Sequence, residues 1–182
     1  MAEATHRSLV DRMMGAARLD VATYEAVEAD RTATGQAAAV VAIVAVASAI
    51  GASNGGIGAI VAGIVSAFVG WLLWSGITYL VGTRVFGGTA DWGELLRTIG
   101  FAQSPGVLYF LGIIPFFGGF IRFAVAIWIL VAVIVAIRQA LDFSTGNAVL
   151  TALVGFLAWL ALVIALALIS GGAAALGRAL GG

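Results

Sequence analysis

The feature that most constrains this chain is where its charges are absent. No Asp, Glu, Lys or Arg occurs between Arg31 and Arg84, a run of 52 residues, or between Asp142 and Arg178, a run of 35. About 20 apolar residues suffice to cross a hydrocarbon core of about 30 Å. Runs this long belong in a bilayer. Residues of the AVILMFWYC set make up 62% of the 182, and charged residues 10%. Soluble domains average roughly 25% charged residues. Ten of the charged residues lie before Thr32. The chain therefore reads as all-α: a polytopic membrane helical bundle of about five spans, preceded by one or two short amphipathic cytoplasmic helices.

Several function classes drop out on counts. With no Cys there is no disulfide, thiolate metal site or cysteine nucleophile. The one His, His6, lies outside any span, which argues against a histidine-ligated metal or haem in the membrane and against a serine–histidine protease. A net charge of zero leaves no electrostatic case for nucleic acid. No cofactor is expected. All nine basic residues are Arg; with the excess of Ala and Gly this suggests a GC-rich, prokaryotic genome. About 33 mixed-charge residues precede the first apolar run, so the N-terminus does not read as a signal peptide.

Residues 1–31 form the arm, with Leu9, Val10, Met13, Met14 and Ala17 at helical spacing and Asp20 as a cap for a second helix. The expected spans are about 36–52, 57–82, 98–117, 120–140 and 148–170, and 171–182 is a Gly- and Ala-rich tail. Gly51 to Gly56 reads as a turn that lacks phosphate-loop spacing. In the second span Ala59, Gly63 and Ala67 form one small-residue stripe, and Ser66 and Gly70 a second. Such stripes let helices approach closely in lipid. They are expected to pack on a neighbouring span or a second copy.

Asp91 and Glu94 have capping-box spacing. Pro105 must kink or break the third stretch, and Pro115 ends it. With five spans, seven Arg lie on the N-terminal side and two on the other, which puts the N-terminus in the cytoplasm and the C-terminus outside. If the third stretch is re-entrant, four spans remain and the tally is eight to one with both termini inside. The two arrangements score alike.

Ionisable or polar groups within spans are few. Arg122 sits near a span end and reads as an interfacial anchor. Arg138 and Asp142, four apart, are expected to pair on one helix face, and Glu94 and Arg97 to pair likewise. Gln103, just before Pro105, could answer the carbonyl that the proline frees or line a polar cavity; the first is the expected role. Phe116, Phe117, Phe120 and Phe123 cluster at one turn, and Trp71 and Trp74 lie one helical turn apart. Both groups read as interface aromatics. No Asp, Glu or His lies deep in a span, so no proton relay is visible.

Arg18-Leu-Asp-Val-Ala-Thr-Tyr-Glu-Ala-Val-Glu-Ala-Asp30, Ala33-Thr-Gly-Gln-Ala37, Trp71-Leu-Leu-Trp74 and Tyr79-Leu-Val-Gly-Thr-Arg84 come in an ordered series. They continue with Glu94-Leu-Leu-Arg-Thr-Ile-Gly-Phe-Ala102, Pro105, Pro115 with Gly118, Trp128, and Arg138-Gln-Ala-Leu-Asp142 with Ser144. In this the chain resembles the Ypt/Rab-interacting-protein (Yip) domain family, over roughly residues 18–170. Asn147 stands where a basic residue is expected. The resemblance implies a five-span bundle with a cytoplasmic N-terminus. It implies Rab-type GTPase partners and vesicle traffic for eukaryotic relatives; for prokaryotic members it supplies a fold and no catalytic residues.

The expected function is non-enzymatic: a scaffold or accessory subunit in a prokaryotic plasma membrane, packing with other membrane proteins or itself, or organising lipid. A small-solute channel or transporter is the alternative, with Gln103, Arg122, Ser66 and Thr78 as its polar material. It gains if these four face one another.

Overall fold

The computed structural model describes residues 8–52 and 56–180. Residues 53–55 of the expected turn at 51–56 and the single His lie outside the described residues. The described chain is helical, without strands. Helices α1 (Leu9–Ala17) and α2 (Val21–Ala29) form the arm. The membrane part consists of α3 (Ala33–Ala52), α4 (Ile57–Arg84), α5 (Trp92–Ala102), a 3-10 segment (Ser104–Ile113), α6 (Gly118–Ala140) and α7 (Thr145–Leu180). The helix of α7 thus runs on through most of the Gly- and Ala-rich tail.

The arm is a hairpin. Ser8 and Asp11 form a capping box on α1, with the Asp11 N–H donating to Ser8 Oγ at 3.1 Å and the Ser8 N–H to Asp11 Oδ2 at 3.2 Å. The chain turns at Leu19, whose φ is 62°. Asp20 takes the N-cap position of α2, but its carboxylate accepts the Thr23 hydroxyl at 2.5 Å rather than capping a backbone N–H. Two contacts close the hairpin: the Tyr24 hydroxyl donates to the Ala16 carbonyl at 3.1 Å, and Arg12 pairs with Asp30 at 2.6 Å. Arg12 is 7% exposed. Asp30 is held down at about 2 by hydrogen bonds from Thr32 and Arg12.

Four helices are long and apolar enough to cross a membrane: α3, α4, α6 and residues 145–165 of α7. The stretch expected at 98–117, with a kink or break at Pro105, is composite. The α-helix stops at Ala102 and a 3-10 helix carries the chain from Ser104 to Ile113. Pro105 is the reason, since it lacks the N–H that an α-helix would donate to Phe101. The freed Phe101 carbonyl is taken by the Ser104 hydroxyl at 2.6 Å. The role expected of Gln103 thus falls to its neighbour.

The composite segment is not a re-entrant loop. A Cβ built on Gly100 would lie 2.8 Å from Ala37 Cβ, and one on Gly106 would lie 2.6 Å from Val44 Cγ1. One on Gly51 would overlap the Tyr109 carbonyl. Contacts thus step along α3 from Ala37 to Val44 to Gly51 as they step along the segment from Gly100 to Gly106 to Tyr109. The two run side by side in the same direction along α3. At rises of about 1.5 Å per α residue and about 2.0 Å per 3-10 residue, α5 and the 3-10 segment together reach roughly 36 Å. That is enough to cross. The bundle therefore has four α-helical spans and a fifth, composite one. Its two ends are called here the arm end, where α1 and α2 dock, and the far end.

Glycines set the closest approaches. Gly118 follows the Pro115 turn, where Phe116 has φ 66°, and a Cβ there would overlap the Gly112 carbonyl. At the far end the Arg122 guanidinium donates to the Gly51 carbonyl, closing the last turn of α3. Trp71, expected at an interface, is instead 5% exposed and donates its indole N–H to the Leu96 carbonyl at 3.0 Å. It ties α4 to α5.

Candidate functional site

The interior of the bundle is incompletely filled. Between α3 and α4 lies a chamber of about 510 Å³, lined by Val44, Ser48, Gly63, Ser66, Gln103 and Tyr109 among others. A second, of about 400 Å³, is lined by Val44, Trp71, Trp74, Gln103, Tyr109 and Val133 among others. A third, of about 640 Å³, lies among α4, the 3-10 segment, α6 and α7, against Trp74, Tyr109, Ile129, Val133 and Phe156. The second shares lining residues with each of the others, and Tyr109 borders all three. Each of these adjoining spaces, together called the hollow, is in the size range of ligand pockets.

Small side chains explain the hollow. Ala59, Gly63, Ser66 and Ala67 line the first chamber, and Ala67 and Gly70 the second. No heavy atom lies within 4 Å of a Cβ built on Gly63 or Gly70. Within this chain Gly63 and Gly70 therefore face open space, while Ala67 of the first stripe packs on the core. Among the four long helices, α4 is the least covered.

The other singled-out residues disperse. Gln103 lines the hollow. Arg122 closes α3 at the far end. Thr78 is fully buried against α7, where a Cβ on Gly155 would lie 3.9 Å from its hydroxyl. Ser66 joins Gln103, but Thr78 and Arg122 do not, so the expected polar path does not assemble. The Arg138–Asp142 pair does not form either. The helix ends at Ala140 and Asp142 has φ 54°, which removes it from the helix face. Arg138 donates to Gln139 Oε1 at 2.9 Å, and Asp142 accepts from the Thr89 hydroxyl at 3.2 Å. Glu94 is likewise drawn from Arg97 into the capping box with Asp91, at 2.7 and 2.8 Å. The four phenylalanines, from Phe116 to Phe123, are exposed at the far end, as lipid-facing aromatics. Tyr109 was not legible as a site residue; its one signal is a phenol inside an apolar stretch.

A second cluster sits where the arm docks. Arg97, 4% exposed, donates Nε to the carbonyls of Val27 and Glu28, at 3.2 and 3.0 Å, and Nη2 to Glu28 again. It thus caps the C-terminal end of α2, where a cation is favoured. Gln139 donates to Glu25 at 3.2 Å, and the Trp128 indole to the Ala17 carbonyl at 2.8 Å. Both α5 and α6 thus carry ties to the arm.

The order of these elements, an amphipathic hairpin and then a proline-broken bundle, coincides with the one comparison that succeeds. The model of the Yip1 domain matches residues 21–169. The chain belongs to the Yip1 domain family. No curated protein matches it, and no solved structure does. The matched stretch of the Yip1 domain starts at α2, so the docked arm helix falls inside the domain and α1 outside it.

The docking contact of this Yip1 domain is pH-sensitive. Burial, then the Glu94 and Asp142 carboxylates, raise the Glu28 carboxyl from 4.5 to about 7, against the opposing pull of Arg97 and with a further push from Glu25. The docked state therefore holds the proton more tightly than the released arm. Its docking advantage is full below about pH 4.5 and is lost as pH rises through about 7. Asp30 stays ionised across that window and adds no change. Hydrogen exchange over residues 21–29, corrected for intrinsic rates, is expected to be faster at about pH 8 than at about pH 5. Equal protection at both would show that Glu28 does not couple to docking.

Proposed function

We propose that this Yip1-domain protein acts without catalysis, as a membrane bundle that takes up and organises lipid. The hollow carries the reading, since its adjoining spaces open among helices that present apolar surface on all sides. Open space at membrane depth fills with whatever the bilayer supplies. Native mass spectrometry of the protein, extracted from its membranes in mild detergent, is the test. A lipid retained at about one copy per chain supports the reading. A bare chain overturns it.

A second reading, an accessory subunit of a larger membrane assembly, is favoured by α4. Its outward face carries Val61, Val65, Val69, Leu72 and Leu73, all exposed, on the least covered of the long helices. Stoichiometric co-purification of another membrane protein supports it. The distribution of Arg supports a prokaryotic plasma membrane with the arm in the cytoplasm. Five crossings then put the C-terminus outside. A reporter active only outside the cytoplasm, fused after Gly182, is expected to be active; an inactive one would reverse that end.

A further inference from the structure

We infer that the hollow is a built site for an uncharged lipid, with Gln103 and Tyr109 as its head-group ligands. The inference rests on the lipid reading above and narrows it to a chemical class.

Gln103 lines the hollow together with Val44, near the middle of α3. It therefore lies deep in the membrane part. Its backbone is engaged, with its N–H bonded to Gly100 at 3.3 Å and its carbonyl accepting from Gly106 at 2.8 Å. Its side-chain amide bonds to no described residue, and the Tyr109 hydroxyl does not either. The one local task an amide could have here, answering the Phe101 carbonyl, is already done by Ser104. Gln103 is half-buried, and an amide left unpaired at membrane depth, where lipid offers it no hydrogen bond, is costly. A partner inside the hollow removes that cost.

The partner's chemistry follows from the walls. No Asp, Glu, Arg or His lines any of the three chambers. A phosphate or ammonium head would be desolvated there without a counter-charge. The polar atoms, from Ser48, Ser66, Gln103 and Tyr109, gather around the first chamber. The third chamber is bordered by Ile129, Leu130, Val133, Ile134, Leu153 and Phe156 and offers only apolar contact. A wholly apolar cavity tends to stay dry, so water alone does not suit it. A hydroxyl, ester or quinone head beside Gln103 and Tyr109, with its tail in the third chamber, satisfies both ends.

The test uses the intact protein in nanodiscs of phosphatidylethanolamine and phosphatidylglycerol. Two probes carry the same photoreactive tail, one a diacylglycerol and the other phosphatidic acid. The diacylglycerol is expected to label peptides from α4, α6 and α7 at the third chamber, about tenfold above phosphatidic acid. Gln103→Leu should lower that labelling about threefold to tenfold, the worth of one or two hydrogen bonds. Gly70→Phe, placed where a side chain meets open space, should block the second chamber and abolish the difference. Retained melting temperature separates either result from misfolding. Equal labelling by both probes would overturn the neutral-head assignment and leave lipid uptake standing. Labelling of chamber peptides by neither probe would overturn both.

Discussion

Gly51→Val is expected to break the bundle at its far end. A Cβ at this position meets the Tyr109 carbonyl oxygen and, at 3.4 Å, the Phe110 Cα. Both are backbone atoms of the 3-10 segment, so no rotamer change relieves the overlap. Either α3 or the segment must move, which would also strip the Arg122 guanidinium from the Gly51 carbonyl. Overpacking alone costs about 1–3 kcal/mol, and the lost charge-assisted hydrogen bond adds to it. A loss of about 3 kcal/mol or more corresponds to roughly 6–12 °C in a chain of this size. Thermal unfolding in detergent measures it. Gly63→Ala is the matched control, since a Cβ there meets nothing within 4 Å; it should stay within about 0.5 kcal/mol. Were Gly51→Val as stable as the parent, the side-by-side course of α3 and the composite span would be wrong.

Arg97→Ala should free the arm while leaving the membrane part folded. Hydrogen bonds from a charged donor are worth about 1.5–3 kcal/mol each. Arg97 makes its bonds to the last carbonyls of α2 from a nearly enclosed position. Removing it leaves those carbonyls unsatisfied and Glu28 without its nearest cation. Limited proteolysis should then cut within 18–31 at least tenfold faster, with the melting transition of the spans little changed. Arg97→Lys should recover only part of the protection, because a single ammonium cannot reproduce the fork that reaches two successive carbonyls. Unchanged cleavage in Arg97→Ala would show that Gln139 and Trp128 hold the arm without it.

The apolar helices were legible because their lengths are a property of sequence alone. The capping box at Asp91 and Glu94 was legible because its two partners are three residues apart, and it forms as spaced. What failed were inferences about what lies opposite. Ala59, Gly63 and Ala67 do share a face, but spacing along one helix does not say how evenly a neighbour follows it: α3 packs on α4 and Ala67 on the core, yet a chamber is left beside Gly63. Arg138 and Asp142 have pairing distance only if the helix continues, and it stops between them. Gln103 and Ser104 were both in reach of the carbonyl freed by Pro105. The shorter side chain took it, and that released the longer one to the hollow. Arg97 was assigned to Glu94 because its true acceptors lie about 70 positions away in the arm.

The Arg122–Gly51 contact also bears on the order of assembly. The first span ends on a carbonyl whose donor is 71 residues further along the chain. The partners that seat α3 most closely, Gly100, Gly106 and Tyr109, are likewise late. Its immediate successor, α4, leaves a chamber beside it instead. During synthesis the first two spans thus enter the bilayer before the partners that close the far end of α3 exist. The Arg122 tie at the far end forms only when α6 has been threaded, and the lipid that surrounds the chain in that interval has free access to the side of α3 that the later elements cover.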